Sequence, residues 1–204
     1  MPDKRLAALL LALLSLLVNQ SLRADAAGLN LSTDGPMAHY LRPNVEYDNR
    51  WAGWLGLHQQ RLSLLTSQES ARRNLLLRAS AELLDQRFTL PWTEIGLTPR
   101  AILIAANLFG ADMVALAGGI SHAAPKGRFE YIPFDLTLDA FFAPKITTFS
   151  NRNHYLWGWR LQANFPLPDN NELNLGYRDI NTSLNGAGAR TIERGLYLGL
   201  TTYF

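Results

Sequence analysis

The chain has 204 residues, no cysteine, and 19 basic against 17 acidic side chains. Near-balanced charge excludes the basic stripe that a nucleic-acid partner needs, and the lack of cysteine excludes disulfide staples. One domain suits this length.

Lys4 and Arg5 open the chain as a short basic region, and Leu6 to Val18 is an apolar run interrupted only by Ser15. The run falls short of the roughly 20 residues a membrane helix needs, and polar Asn19, Gln20 and Arg23 follow it. With small residues at Ala24, Ala26 and Ala27, residues 1–26 read as a secretory signal peptide cleaved after Ala26 or Ala27. Its removal takes away Lys4, Arg5 and Arg23 with Asp3 and Asp25, leaving residues 27–204 close to neutral.

The mature chain reads as segments of about ten residues with alternating polarity, the signature of strands that separate two environments. Leu29 to Thr33 and Met37 to Arg42 form a hairpin around Asp34-Gly35. In the next segment Trp51, Gly53, Leu55 and Leu57 oppose Arg50, Trp54, Gly56 and His58, and Gln59 to Arg73 reads as a long polar connection. Within Ala71 to Asp85, Leu75, Leu77, Ala79, Ala81 and Leu83 alternate with Arg78, Ser80 and Glu82, although the composition also suits a helix.

Glu94 to Ile104 alternates around Pro99, which is expected at a bulge. In Asp112 to Ser121, Val114, Leu116 and Ile120 oppose Met113, Ala115, Ala117, Gly119 and Ser121. Further along, Phe134, Leu136, Leu138, Ala140 and Phe142 oppose Asp135, Thr137 and Asp139. The clearest segment sets Tyr155, Trp157, Trp159, Leu161, Ala163 and Phe165 against His154, Gly158, Arg160, Gln162 and Asn164. Leu173, Leu175 and Tyr177 then oppose Glu172, Asn174, Gly176 and Arg178. At the end of the chain, Leu196, Leu198, Leu200, Thr202 and Phe204 oppose Gly195, Tyr197, Gly199, Thr201 and Tyr203.

In a bilayer every backbone N–H and C=O must be paired, which strands achieve only by closing on themselves. The expected fold is therefore all-β, a closed antiparallel transmembrane β-barrel of ten strands, with eight as the alternative. Compact connections at residues 123–127 and 166–170 are expected to alternate with long ones at 59–73, 145–153 and 182–194.

The inward charges would be Arg50, Arg78, Glu82, Glu94, Arg100, Asp135, Asp139, Arg160, Glu172 and Arg178. Such a set either lines a selective pore or pairs across a narrow lumen and fills it, and its near-equal signs favour pairing. Trp51, Tyr155 and Tyr203 are candidates for rings at the membrane interface.

Of His39, His58, His122 and His154, only His154, with Ser150 or Asp139, suggests a catalytic pair. No spacing identifies a nucleophile and its base or a metal site. Neither a catalytic residue, a metal nor a cofactor is therefore assigned.

The last strand, with Tyr197, Gly199 and Phe204, resembles the signal read by the bacterial barrel-assembly machinery, although Thr202 stands where that signal carries a larger apolar residue. Together with Phe141-Phe142-Ala143-Pro144, Asn174-Leu175-Gly176-Tyr177-Arg178 and the Gly195 to Leu200 run, the mature chain resembles the YfaZ family of outer-membrane proteins. The resemblance implies a small barrel in the cell outer membrane of a Gram-negative bacterium, and a monomer is expected. Its partners would be outer-membrane lipid and, during biogenesis, the assembly machinery and periplasmic chaperones. The expected function is structural or that of a narrow porin-like channel. The alternatives are an outer-membrane enzyme acting on lipid or peptide at the outer rim, and a soluble periplasmic lipid-binding barrel.

Overall fold

The computed structural model describes residues 26–42, 57–69, 72–83, 88–89, 96–124, 134–186 and 188–204. Ten long strands follow one another in an antiparallel meander: β1 (Ala26–Ser32), β2 (Pro36–Arg42), β3 (Leu57–Glu69), β4 (Arg72–Leu83), β6 (Gly96–Leu108), β7 (Ala111–Ala124), β8 (Asp135–Ala143), β10 (Asn153–Leu167), β11 (Asn171–Leu184) and β12 (Gly188–Tyr203). The two-residue strands β5 (Phe88–Thr89) and β9 (Thr148–Phe149) flank β6 and β7. β1 pairs with both β2 and β12, and β6 pairs with β7, so the sheet closes without a free edge. The chain is thus a closed ten-stranded antiparallel barrel.

The strands are strongly staggered, as closure of a twisted sheet requires. A row of paired outward residues leaves β12 at Leu200 and passes through Leu29, Ala38, Leu64, Leu77 and Ala105 to Val114. It starts near one rim and ends near the other.

The period-two pattern maps onto the two faces of the wall. Leu196, Leu198 and Leu200 of β12 face outward while Tyr197, Gly199 and Thr201 are buried inside, and β8, β10 and β11 repeat the arrangement. Residues 72–83 are strand, not helix, because both long edges of β4 are hydrogen-bonded to neighbours.

Several expectations on strand limits and connections are corrected. The supposed connection at 59–73 is mostly strand, with β3 running to Glu69 and β4 resuming at Arg72. Pro99 needs no bulge: it lies one residue beyond the last β4–β6 pair, Glu82 opposite Arg100, and stays in register with Ile120. Likewise β11 and β12 run through most of residues 182–194, leaving only 185–187 between them.

Of the expected connections, the compact one near 166–170 and the long one near 145–153 are observed, whereas 59–73 and 182–194 are mostly strand and 125–127 lie outside the described residues. Ala26 lies opposite Tyr203, so both described termini share one end of the barrel. At the other end β1 and β2 are joined through residues 33–35 and β6 and β7 through 109–110, and only short gaps separate β3 from β4 and β11 from β12. Only 144–152 is longer there, and it holds the 3₁₀ turn Lys145–Thr147 and β9. At the terminal end β10 and β11 are joined by the compact 168–170. Phe109 and Gly110 make the tightest described turn, with φ of 53° and 78°, the paired positive values of a type I′ hairpin.

The interior is layered. At the turn end Met37, Leu65, Leu76, Ile102, Ile104, Leu108, Met113, Phe141, Leu156, Ile180 and Ile192 form one buried apolar cluster. Toward the terminal end the filling becomes charged and then amide-rich. Ion pairs and hydrogen bonds connect Arg61, Arg100, Asp139 and Arg160, and likewise Gln162, Asn174 and Thr201.

Candidate functional site

Five guanidinium groups converge at mid-height in the barrel. Alternation along the strands directs Arg61 of β3, Arg78 of β4, Arg100 of β6, Arg160 of β10 and Arg178 of β11 into the lumen with Asp139 of β8. Register brings them to one level, since Arg160 is the pairing partner of Asp139 on one side and of Arg178 on the other. Like charges directly opposite one another destabilise a sheet, so the Arg160–Arg178 pair needs compensation.

Asp139 supplies much of it. Arg100 Nη1 donates to its Oδ1 at 2.7 Å, Arg160 Nε donates to its Oδ2 at 3.0 Å with a second bond from Arg160 Nη2, and Arg61 Nη1 lies 3.6 Å away. One carboxylate is therefore shared by three guanidinium groups. Arg178 Nη2 lies 2.5 Å from Glu193 Oε1, which also accepts the Ser32 hydroxyl. Arg178 stacks on the Tyr197 ring at 4.9 Å, and Arg78 lies 5.3 Å from the centre of the Phe141 ring.

Among the described residues, the carboxylates within ion-pairing distance of the five are Asp139 and Glu193. Arg100 Nε, Arg178 Nε and Arg61 Nε are buried without a hydrogen-bond partner. A cavity of about 20 Å³ separates the charged layer from the apolar one, bordered by Ser63, Arg78, Asp139, Phe141, Arg160 and Arg178.

A hydrogen-bonded chain leads from the hub toward the terminal end. Tyr197 Oη donates to Gln162 Oε1 at 2.7 Å, Gln162 Nε2 to Asn174 Oδ1 at 2.9 Å and Asn174 Nδ2 to Thr201 Oγ1 at 2.7 Å, while His39 Nε2 lies 3.1 Å from that hydroxyl. Glycines opposite the large side chains make room for them. A Cβ at Gly176 would lie 2.5 Å from Tyr197 Cζ and 2.6 Å from the Leu161 carbonyl oxygen. One at Gly158 would lie 2.8 Å from Phe141 Cε1. Such rings covering a cross-strand glycine pin the register.

Of the inward charges expected from sequence, Arg78, Arg100, Asp139, Arg160 and Arg178 thus meet in one layer. Glu82 accepts the Ser121 hydroxyl and Glu172 accepts the Tyr203 hydroxyl, while Asp135 lies opposite Asn164 nearer the terminal end. Arg50, Glu94, Trp51 and Ala24 lie outside the described residues, as does the side chain of His58.

Tyr155 is outward and stacks with Phe142 at 6.1 Å, whereas Tyr203 has the inward parity of Thr201. Tyr197 and Gly199 both face the lumen, where Asn30 occupies the space above Gly199. Ala26 and Ala27 belong to β1, opposite Tyr203 and Thr202, and Phe204 is exposed beyond the end of β12.

The inward charges carry both signs, as expected, but they stand at different heights, and among the described residues the mid-height layer is cationic. Arg61 was concealed inside the presumed loop, although Arg61, Ser63, Leu65 and Ser67 do keep period two. Glu193 shares the parity of Tyr197 but lay within the expected connection at 182–194.

His154 makes no described hydrogen bond to Ser150 or Asp139; the Ser150 hydroxyl accepts instead from the Asn153 and Arg152 backbone amides. Among the described residues no group of three or more His, Asp or Glu side chains could hold a metal ion.

Fold and site together define a closed barrel with an apolar exterior and an ionic, side-chain-filled interior. Compared with protein-family models, curated proteins and solved structures, the chain matches none.

Proposed function

We propose that the chain is a small bacterial outer-membrane β-barrel with a structural role and no catalytic activity, similar to the YfaZ family and made with a cleaved signal peptide. The observation that carries this is the outward face. Large apolar side chains stand open around the ring, including Leu31 at 58% exposure, Leu116 at 53%, Leu198 at 54% and Leu196 at 67%. In water such a surface is an association liability, because monomeric soluble proteins rarely expose apolar patches larger than a few hundred Å². Lipid is the solvent that suits it, with polar groups inside and every strand edge paired.

The packed interior supports a structural role over a pore, because the apolar layer stands across the turn end and the cavity above it is only water-sized. It also argues against a lipid-binding barrel, which needs an empty apolar lumen. Membrane fractionation and planar-bilayer recording test the proposal. The mature protein should sediment with the outer membrane, migrate faster unboiled than boiled, and give no steady conductance. Recovery from a detergent-free periplasmic extract would overturn the location, and stable ion-selective conductance would overturn the structural role.

A further inference from the structure

We infer that the arginine hub is a binding site for a small inorganic anion the size of a halide, seated in the cavity between Arg78 and Arg178. This goes beyond the membrane reading and does not depend on it, since the site lies inside the wall in any solvent.

The argument is one of charge. The five hub arginines meet two carboxylates within ion-pairing distance among the described residues, Asp139 and Glu193. Among the described residues that border the cavity, three guanidinium groups, Arg78, Arg160 and Arg178, face the carboxylate of Asp139, whose oxygens are already engaged by Arg100 and Arg160, while Arg178 is also paired with Glu193. Desolvated cations need an opposite charge and hydrogen-bond acceptors, and a neutral water supplies only the second. Arg78 lies over the face of Phe141 and shares the field of Asp139 with the other hub arginines, and Arg178 Nε is buried with no acceptor.

Size then selects the ligand. Room of about 20 Å³ is slightly more than one water requires, which suits a small compact anion. The apolar floor made by Met37, Leu65, Leu76 and Ile180 favours a weakly hydrated ion.

The mature barrel, refolded in micelles and crystallised with sodium bromide, should show a bromine anomalous peak within hydrogen-bond reach of Arg78 and Arg178. In solution its thermal midpoint should lie several degrees higher in sodium bromide than in sodium gluconate of equal ionic strength. Arg78→Met should remove both the peak and that difference while the barrel keeps its heat-modifiable migration. Only water at the site, or equal midpoints in the two salts, overturns the proposal, as does a difference that survives Arg78→Met. Sulfate bound in preference to bromide overturns the assignment of size. Should Arg78→Met fail to fold, the wild-type crystal and the two-salt comparison decide.

Discussion

Replacing Asp139 by Asn tests whether the hub is held together by charge or merely by shape. Asn preserves the volume and one acceptor, so the packing against Phe141 and Ser121 is little disturbed and the change is essentially electrostatic. Asp139 is 6% exposed and engages Arg100 at 2.7 Å, Arg160 through two nitrogens and Arg61 at 3.6 Å. With the carboxylate gone, three guanidinium groups face one another with no shared counter-charge, in a layer that already sets Arg160 opposite Arg178. Breaking a buried ion pair from one side costs roughly 3 to 5 kcal/mol, and here a single removal strands three partners, so the upper half of that range is expected.

The internal control is Arg194→Met, which breaks the Arg194–Asp179 pair at 2.9 Å where Arg194 is 55% exposed. A pair so open contributes at most about 1 kcal/mol. Both variants would be refolded into vesicles in halide-free buffer and titrated with urea, following the fluorescence of Trp157 and Trp159. A loss below about 1 kcal/mol for Asp139→Asn, or one equal to that of Arg194→Met, would refute the claim that the hub depends on its carboxylate.

Leu198→Arg, on the outward face at 54% exposure, should cost roughly 2 to 4 kcal/mol in vesicles, as charge at the bilayer midplane does; a change near zero would mean that this face meets water. Thr201 cannot serve as a mild lumen control, because it is buried and bonded to Asn174 and His39. Gly176→Ala places a methyl against Tyr197 and the Leu161 carbonyl, so it should cost roughly 1 to 3 kcal/mol by overpacking. Tyr197→Phe, which loses the hydroxyl that donates to Gln162 and lies beside Arg160, should cost about 1 kcal/mol. The same urea titration ranks the two, and the reverse order would show that the ring does not rest on the glycine.

The alternation of β8, β10, β11 and β12 was legible because each separates an apolar exterior from polar interior positions, and that contrast is local to the chain. It was weakest in β3 and at the turn end of β6, where Leu62, Leu64 and Leu65, or Ile102 to Ala106, read as nearly continuous apolar runs. The structure supplies the reason: at that end the interior is apolar as well, so both faces carry the same kind of residue and period two disappears. Residues 182–194 were concealed in the opposite way, since Asn181, Thr182 and Thr191 are polar strand residues with a register shift beside Ile180.

What the amino-acid sequence by itself determined is the class of fold and the parity of most inward charges, since both depend on neighbours two residues apart; it left ten strands against eight. Tertiary structure alone decided which charges meet. The stagger of the closed sheet brings Arg61, Arg78, Arg100, Arg160 and Arg178 from five strands to the level of one aspartate. A balanced list of inward charges thereby becomes a cationic hub, because height in a barrel is set by register and shear, which sum over the whole ring and are written in no single strand.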